Sequence, residues 1–172
     1  MKLLVSALCG LVLLSACVKH ATVEQSLSPI EKFSGRLLVV STAKRFQVEI
    51  DWLGQVQKGE LRLTHAASGR IVDVTWEHES MLWRDNEHMG WSPLSENELS
   101  DMGVILPPWM LAKIFLGEMP STMITKDQRT WRGTWLYNKS KLDLSIRWAS
   151  DRKRVELTDL KHGKKAVVII NG

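Results

Sequence analysis

Three groups of residues have types and spacings that could do chemistry. Cys17 closes the run Leu14-Ser15-Ala16-Cys17, behind Lys2 and the apolar stretch Leu3 to Leu14. One cation, a short apolar segment and small residues before a cysteine make an export signal with Cys17 as an acylation site, and the run is too short to span a bilayer. His65 and Ser68 have the spacing of a base and a nucleophile. Ala66, Ala67 and Gly69 around them are turn residues and no orienting acid stands near, so an exposed loop is expected. Glu77-His78-Glu79 offers two carboxylates and an imidazole. Read as a strand, it points His78 away from both glutamates, and no second histidine stands at zinc-ligand spacing.

No Gly-x-Ser-x-Gly turn, His-Glu-x-x-His helix or phosphate-binding glycine loop occurs. His20, His88 and His162 fall in polar connecting segments, where a solvated ring is expected. No catalytic residue, metal site or cofactor is therefore assigned. An active site assembled from distant carboxylates would leave no such motif.

The elements that hold these residues follow from length and pattern. Removing sixteen of 172 residues leaves 156, enough for one domain with a real core. The boundaries expected are a signal over 1–16, a lipidated N-terminus and tether over 17–29, and a single folded domain over 30–172. Cys9 lies in the signal, so the fold itself contains no cysteine, which excludes disulfides and thiolate sites. Net charge is +4, unevenly spread. Eight acids stand between Asp73 and Asp101 against Arg84 alone, while Lys139 to Lys165 holds nine cations against four acids. Solvated hairpin faces account for this pattern most simply. A functional basic face would favour anionic headgroups or an acidic protein partner, and the export signal argues against nucleic acid.

Period-2 alternation dominates the folded part. Phe46, Val48, Ile50 and Trp52 alternate with polar residues, as do Leu142, Leu144, Ile146 and Trp148. Further strands are expected over Gly35 to Val40, Glu60 to Thr64, Arg70 to Trp76, Met81 to Arg84, Thr130 to Tyr137, Arg154 to Leu157 and Lys165 to Ile170, in an antiparallel meander. The pattern breaks between Ser92 and Pro120. Ser95 caps a short helix that ends near Met102-Gly103, and Pro107-Pro108 opens an apolar one closed by Gly117. A third helical piece is expected from Ser28 to Lys32. A helix as apolar as Trp109 to Leu116 needs cover, and the concave side of a sheet supplies it. The fold class is mainly β (α+β): a curved antiparallel sheet, or incomplete β-barrel, wrapped around two or three short helices.

With these elements in order, the chain resembles the LolA/LolB group of periplasmic lipid-handling proteins, and within it the LolB outer-membrane receptors. The resemblance rests on Phe33-Ser34-Gly35-Arg36-Leu37, Trp52, Leu61-Arg62-Leu63-Thr64, Leu106-Pro107 through Leu111 to Phe115-Leu116-Gly117 and Pro120, and Val155-Glu156-Leu157-Thr158-Asp159. It implies a monomeric half-barrel, facing the periplasm from the outer membrane. That half-barrel would accept the acyl chains of client lipoproteins from a LolA-like periplasmic carrier and pass them to the inner leaflet of the outer membrane. Val18 after the lipid site is compatible with that address. The group carries a bulky apolar residue on a protruding loop that aids delivery. Here the matching membrane-transfer loop offers only Ala66, Ala67 and Ser68, and the chain ends Asn171-Gly172 where the group usually ends in tryptophan.

Eight tryptophans and seven methionines suit either a filled core or an adaptable apolar pocket. Candidate cavity residues are Trp52, Trp76, Trp83, Trp135, Ile146, Trp148, Leu111 and Phe115, with Cys17 as the lipid anchor. The alternatives are an envelope lipoprotein that binds another lipid or acyl cargo, and an anchored adaptor without a pocket.

Overall fold

A computed structural model describes residues 27–41, 45–101, 104–127, 129–137 and 140–171. The signal, Cys17 and most of the tether lie outside these residues. Eleven strands form one antiparallel sheet: β1 Lys32–Val40, β2 Arg45–Gly54, β3 Lys58–His65, β4 Arg70–Glu77, β5 Ser80–Asp85, β6 Ser92–Pro93, β7 Met123–Asp127, β8 Thr130–Tyr137, β9 Ser140–Trp148, β10 Arg154–Asp159 and β11 Lys165–Ile170. Two helices, α1 Glu96–Asp101 and α2 Pro108–Leu116, fall between β6 and β7.

The spatial order is β6-β5-β4-β3-β2-β1-β11-β10-β9-β8-β7. Each half of the chain is thus a meander of neighbouring hairpins. The halves join where β1 pairs with β11, from Gly35 opposite Ile170 to Val40 opposite Lys165. β6 and β7 are the two edges and do not pair with each other, so the sheet stays open. The chain between those edges carries both helices across the concave side.

Alternation explains the curvature and the core. On β2, Val48, Ile50 and Trp52 are buried while Gln47, Glu49, Asp51 and Leu53 face water. Cross-strand pairing of Trp52 with Phe33 and Leu61 continues the apolar layer into β1 and β3. Inward positions 54 and 59 are glycine because a Cβ there would lie 2.6 and 2.3 Å from the ring of Trp76. The six-membered edge of the indole therefore packs against bare backbone.

Both helices are capped as their sequences require. Ser95 and Glu98 form a reciprocal capping box: the Glu98 N–H donates to Ser95 Oγ at 3.2 Å, and the Ser95 N–H to Glu98 Oε2 at 2.8 Å. Pro108 opens α2, and Gly117 closes it at φ 81° with its N–H on the Ile114 carbonyl. Seven of the nine α2 residues are buried against the sheet.

Two local expectations are corrected. Residues 28–32 are not helical. The Ile30 N–H donates to the Phe115 carbonyl and the Glu31 carbonyl accepts from Gly54 N–H, so this backbone is committed to α2 and β2 rather than to its own turn. Glu77 ends β4, but His78 and Glu79 are not strand: they form the β4–β5 hairpin turn, with His78 at φ 56°, a conformation histidine tolerates better than bulky or branched residues.

Candidate functional site

The concave side has two unlike ends. At the end where β1 begins and β2, β4 and β9 terminate, Phe33, Trp52, Trp76 and Trp148 turn inward around Phe115 from α2. Phe115 lies 4.9 Å from Phe33, 5.0 Å from Trp52 and 6.2 Å from Trp148, edge-on to each, and Trp52 lies 5.0 Å from Trp76. These rings plug the barrel, because edge-to-face contacts let large flat groups fill a round section. Outside the plug, residues 27–31 cross the C-terminal end of α2.

The opposite end is looser. There the hairpin His65–Gly69 leaves the sheet, and the inward residues Phe46, Leu63, Val72 and Leu142 are only half-buried against the core. Between the two ends lies an apolar void of about 20 Å³, room for roughly one water molecule. Its lining is entirely apolar and includes Leu37, Ile50 and Leu61 from the sheet, Val104 to Leu106 from the α1–α2 connection, and Leu111 and Phe115 from α2.

Two carboxylates stand at the looser rim. Asp85 ends β5 and Asp159 ends β10; both share the inward register of their strands, and they are only 4% and 7% exposed. Each is held by the same local device, an aspartate with a histidine three residues on. Asp85 Oδ1 accepts from the Glu87 and His88 N–H groups and pairs with His88 Nδ1 at 3.1 Å, while Arg70 Nη2 donates to Oδ2 at 3.0 Å. Asp159 Oδ1 accepts from the Lys161 and His162 N–H groups, and Oδ2 pairs with His162 Nδ1 at 2.7 Å. The two rings are mostly exposed, but each has one nitrogen on a buried acid rather than in water.

Burial pushes both carboxyls up, and it is outweighed. For Asp85 the His88 N–H and then Arg70 hold the pKa below the usual carboxylate range; for Asp159 the His162 side chain and N–H do so. A carboxyl whose folded pKa is depressed stabilises the fold above its unfolded value, and that stabilisation is lost as pH falls through the folded one. Unfolding free energy is therefore expected to be level from neutrality down to about pH 5 and to decline below about pH 4. Asp159→Asn should make the acid limb shallower in urea titrations at successive pH values. An acid limb identical to that of the parent protein would remove Asp159 from this role.

On the convex face the charges interlock. Asp73 accepts from Arg62 Nε at 2.7 Å and from Arg84 Nε at 3.1 Å, and the Arg84 guanidinium lies 4.7 Å over Trp91. The Arg62 bond is the main reason that the Asp73 carboxyl is held low. Glu156 collects Arg147, Arg154 and Lys165 at 2.9, 2.6 and 2.9 Å. The acidic and basic stretches of the sequence are thus partly neutralised within their own hairpins.

The cavity candidates are not all brought together. Trp52, Trp76, Trp148 and Phe115 form the plug; Leu111 lines the void, as Phe115 does; Ile146 and Trp135 are buried in β9 and β8, and Trp83 is half-buried on β5. Sequence reasoning missed Phe33 and the lining residues Leu37, Ile50, Leu61 and Val168. Their signal was alternation alone, which marks a face but not a cavity. His65 Nδ1 does meet Ser68 Oγ at 2.8 Å, yet the contact belongs to the turn: the Ser68 N–H also approaches His65 Nδ1, and Ser68 Oγ accepts from Arg70 N–H. Ala66, Ala67 and Ser68 are exposed at the hairpin tip.

No protein-family model matches the sequence, and no curated protein matches it. Among solved structures the chain is similar to a LolA superfamily protein from Nitrosomonas europaea. The two share 10% sequence identity over 87% of this chain and 88% of that one, with a TM-score of 0.47. No helix among the described residues is long and apolar enough to cross a membrane.

Proposed function

We propose that this protein is a LolB-like receiver of acylated lipoproteins, anchored in the outer membrane by acyl chains on Cys17 and facing the periplasm. It takes client acyl chains from a LolA-like carrier into the half-barrel and releases them to the inner leaflet. The observation that carries this reading is the asymmetry of the concave side, apolar apart from Asp85 and Asp159 at the rim, plugged at one end and loosely packed at the other, with α1 and α2 laid across the open side. The void is small with α2 seated, so uptake requires α2 to lift from the sheet. Depleting the protein should make outer-membrane lipoproteins accumulate on their periplasmic carrier. Unaltered lipoprotein sorting after depletion would oppose a receiver role.

The hairpin tip favours a second reading, in which the cargo is another lipid. A leucine buried in a bilayer contributes roughly 1.5–3 kcal/mol, of which alanine supplies a fraction. Ala67→Leu is expected to speed transfer of bound cargo to liposomes by about tenfold while leaving uptake unchanged. Equal rates for the parent and the variant would mean that release does not use this hairpin.

A further inference from the structure

Among the described residues, the buried side-chain polar atoms without a hydrogen-bond partner are Trp52 Nε1, Trp148 Nε1, Arg152 Nε and Arg152 Nη2. All four are donors, and no acceptor among the described residues answers them. They cluster at the plugged end, since Phe115 touches both indoles and the Arg152 guanidinium lies 4.8 Å over the Trp148 ring. Arg152 reaches this place from the β9–β10 turn, where its backbone sits at φ 57°, strained for a residue with a side chain. Its Nη1 donates to the Ser28 carbonyl, and no carboxylate of the described residues pairs with it.

Buried donors left unpaired are costly, and a partly desolvated guanidinium without a counter-charge more so. Nε and Nη2 form the side-on edge of the guanidinium, whose two parallel N–H groups match the two oxygens of a carboxylate. The guanidinium lies over Trp148, the Trp148 ring meets Phe115, and Phe115 also lines the apolar void. An anionic oxygen pair at Arg152 would therefore be separated from the apolar void by the rings of Trp148 and Phe115. We propose that the plugged end is a carboxylate site for a long-chain fatty acid, with Arg152 as its charged partner and Trp148 Nε1 as a further donor. The alkyl chain takes the path past Phe115 into the void, and Phe115 turns aside to admit it. This rests on the reading that the half-barrel takes acyl chains, and it names a free acid as one ligand.

The test compares oleate with methyl oleate, binding to the full chain carrying Cys17→Ala and purified without detergent. Oleate is expected to bind about tenfold more tightly than its ester, because only the acid makes the charge-assisted pair. Arg152→Gln should remove that preference, with Arg152→Lys intermediate. If Arg152→Gln does not fold, Trp148→Phe, which keeps an aromatic ring and deletes the donor, should reduce the preference. Equal binding of acid and ester by the parent protein, or a preference that survives Arg152→Gln, overturns the carboxylate site while leaving acyl binding intact. Binding of neither ligand overturns acyl binding and the site together.

Discussion

Phe115→Ala is expected to lower the unfolding free energy by about 3–5 kcal/mol, the range for deleting a large aromatic side chain from a core. The ring is 1% exposed and touches Phe33, Trp52 and Trp148, so three aromatic contacts disappear with it. Little can collapse into the gap. The neighbours are rigid indoles on strands fixed by cross-strand pairing, whereas α2 is held at its C-terminal end by Gly117 and by the Ile30 N–H on the Phe115 carbonyl. For a domain of this size the melting temperature should fall by roughly 10–20 °C. Phe115→Leu should restore about half of the loss, because it refills volume without the edge-on contacts. A cost below about 1 kcal/mol for Phe115→Ala would mean that the plug does not hold the barrel end.

Cys17→Ala is expected to shift the protein from the membrane fraction to the soluble periplasmic fraction. Each buried methylene contributes about 0.8 kcal/mol, so one acyl chain anchors marginally and two or more anchor stably. No described helix offers a replacement span. The folded body begins its sheet at Lys32, well after the cysteine, so the variant should keep the urea midpoint of the parent chain. Membrane fractionation unchanged by Cys17→Ala, with no acyl mass on the N-terminus of the parent protein, would dismiss the lipid anchor.

The fold was legible wherever local pattern decides structure. Alternation over Phe46 to Trp52 and Leu142 to Trp148 locates β2 and β9, because one face of each strand is buried along its length. Pro107-Pro108 and Gly117 bracket α2 for stereochemical reasons that hold in any context. The edges were not legible. β6 is two residues long, and on β7 Met123 is buried while Ile124 beside it is 73% exposed, too short a stretch to show a period. Pairing of β1 with β11 joins residues from opposite ends of the chain, and no local signal encodes such a contact.

The candidate site was half legible for a related reason. Large apolar residues were identified by type, but whether an inward ring plugs an end or lines a void depends on the stagger between strands. That stagger places Trp52 and Trp148 together at one end and Trp135 elsewhere. Arg152 looked like one cation in a basic run, and only its turn geometry shows that it lies over Trp148. His88 and His162 were read as solvated. Their aspartate partners stand three residues earlier, at the ends of β5 and β10, and the burial of Asp85 and Asp159 is a tertiary property.

Whether the interior opens to acyl chains is tested most directly by titrating a triacylated peptide into the soluble Cys17→Ala chain. Uptake would be followed by tryptophan fluorescence, and stoichiometry by native mass spectrometry. Saturable one-to-one binding is expected, with a spectral change that reports Trp52 and Trp148 and with no uptake of the same peptide lacking its acyl chains. A folded chain that takes up no acylated peptide at any concentration below aggregation would contradict the receiver reading and leave an anchored protein with a filled core.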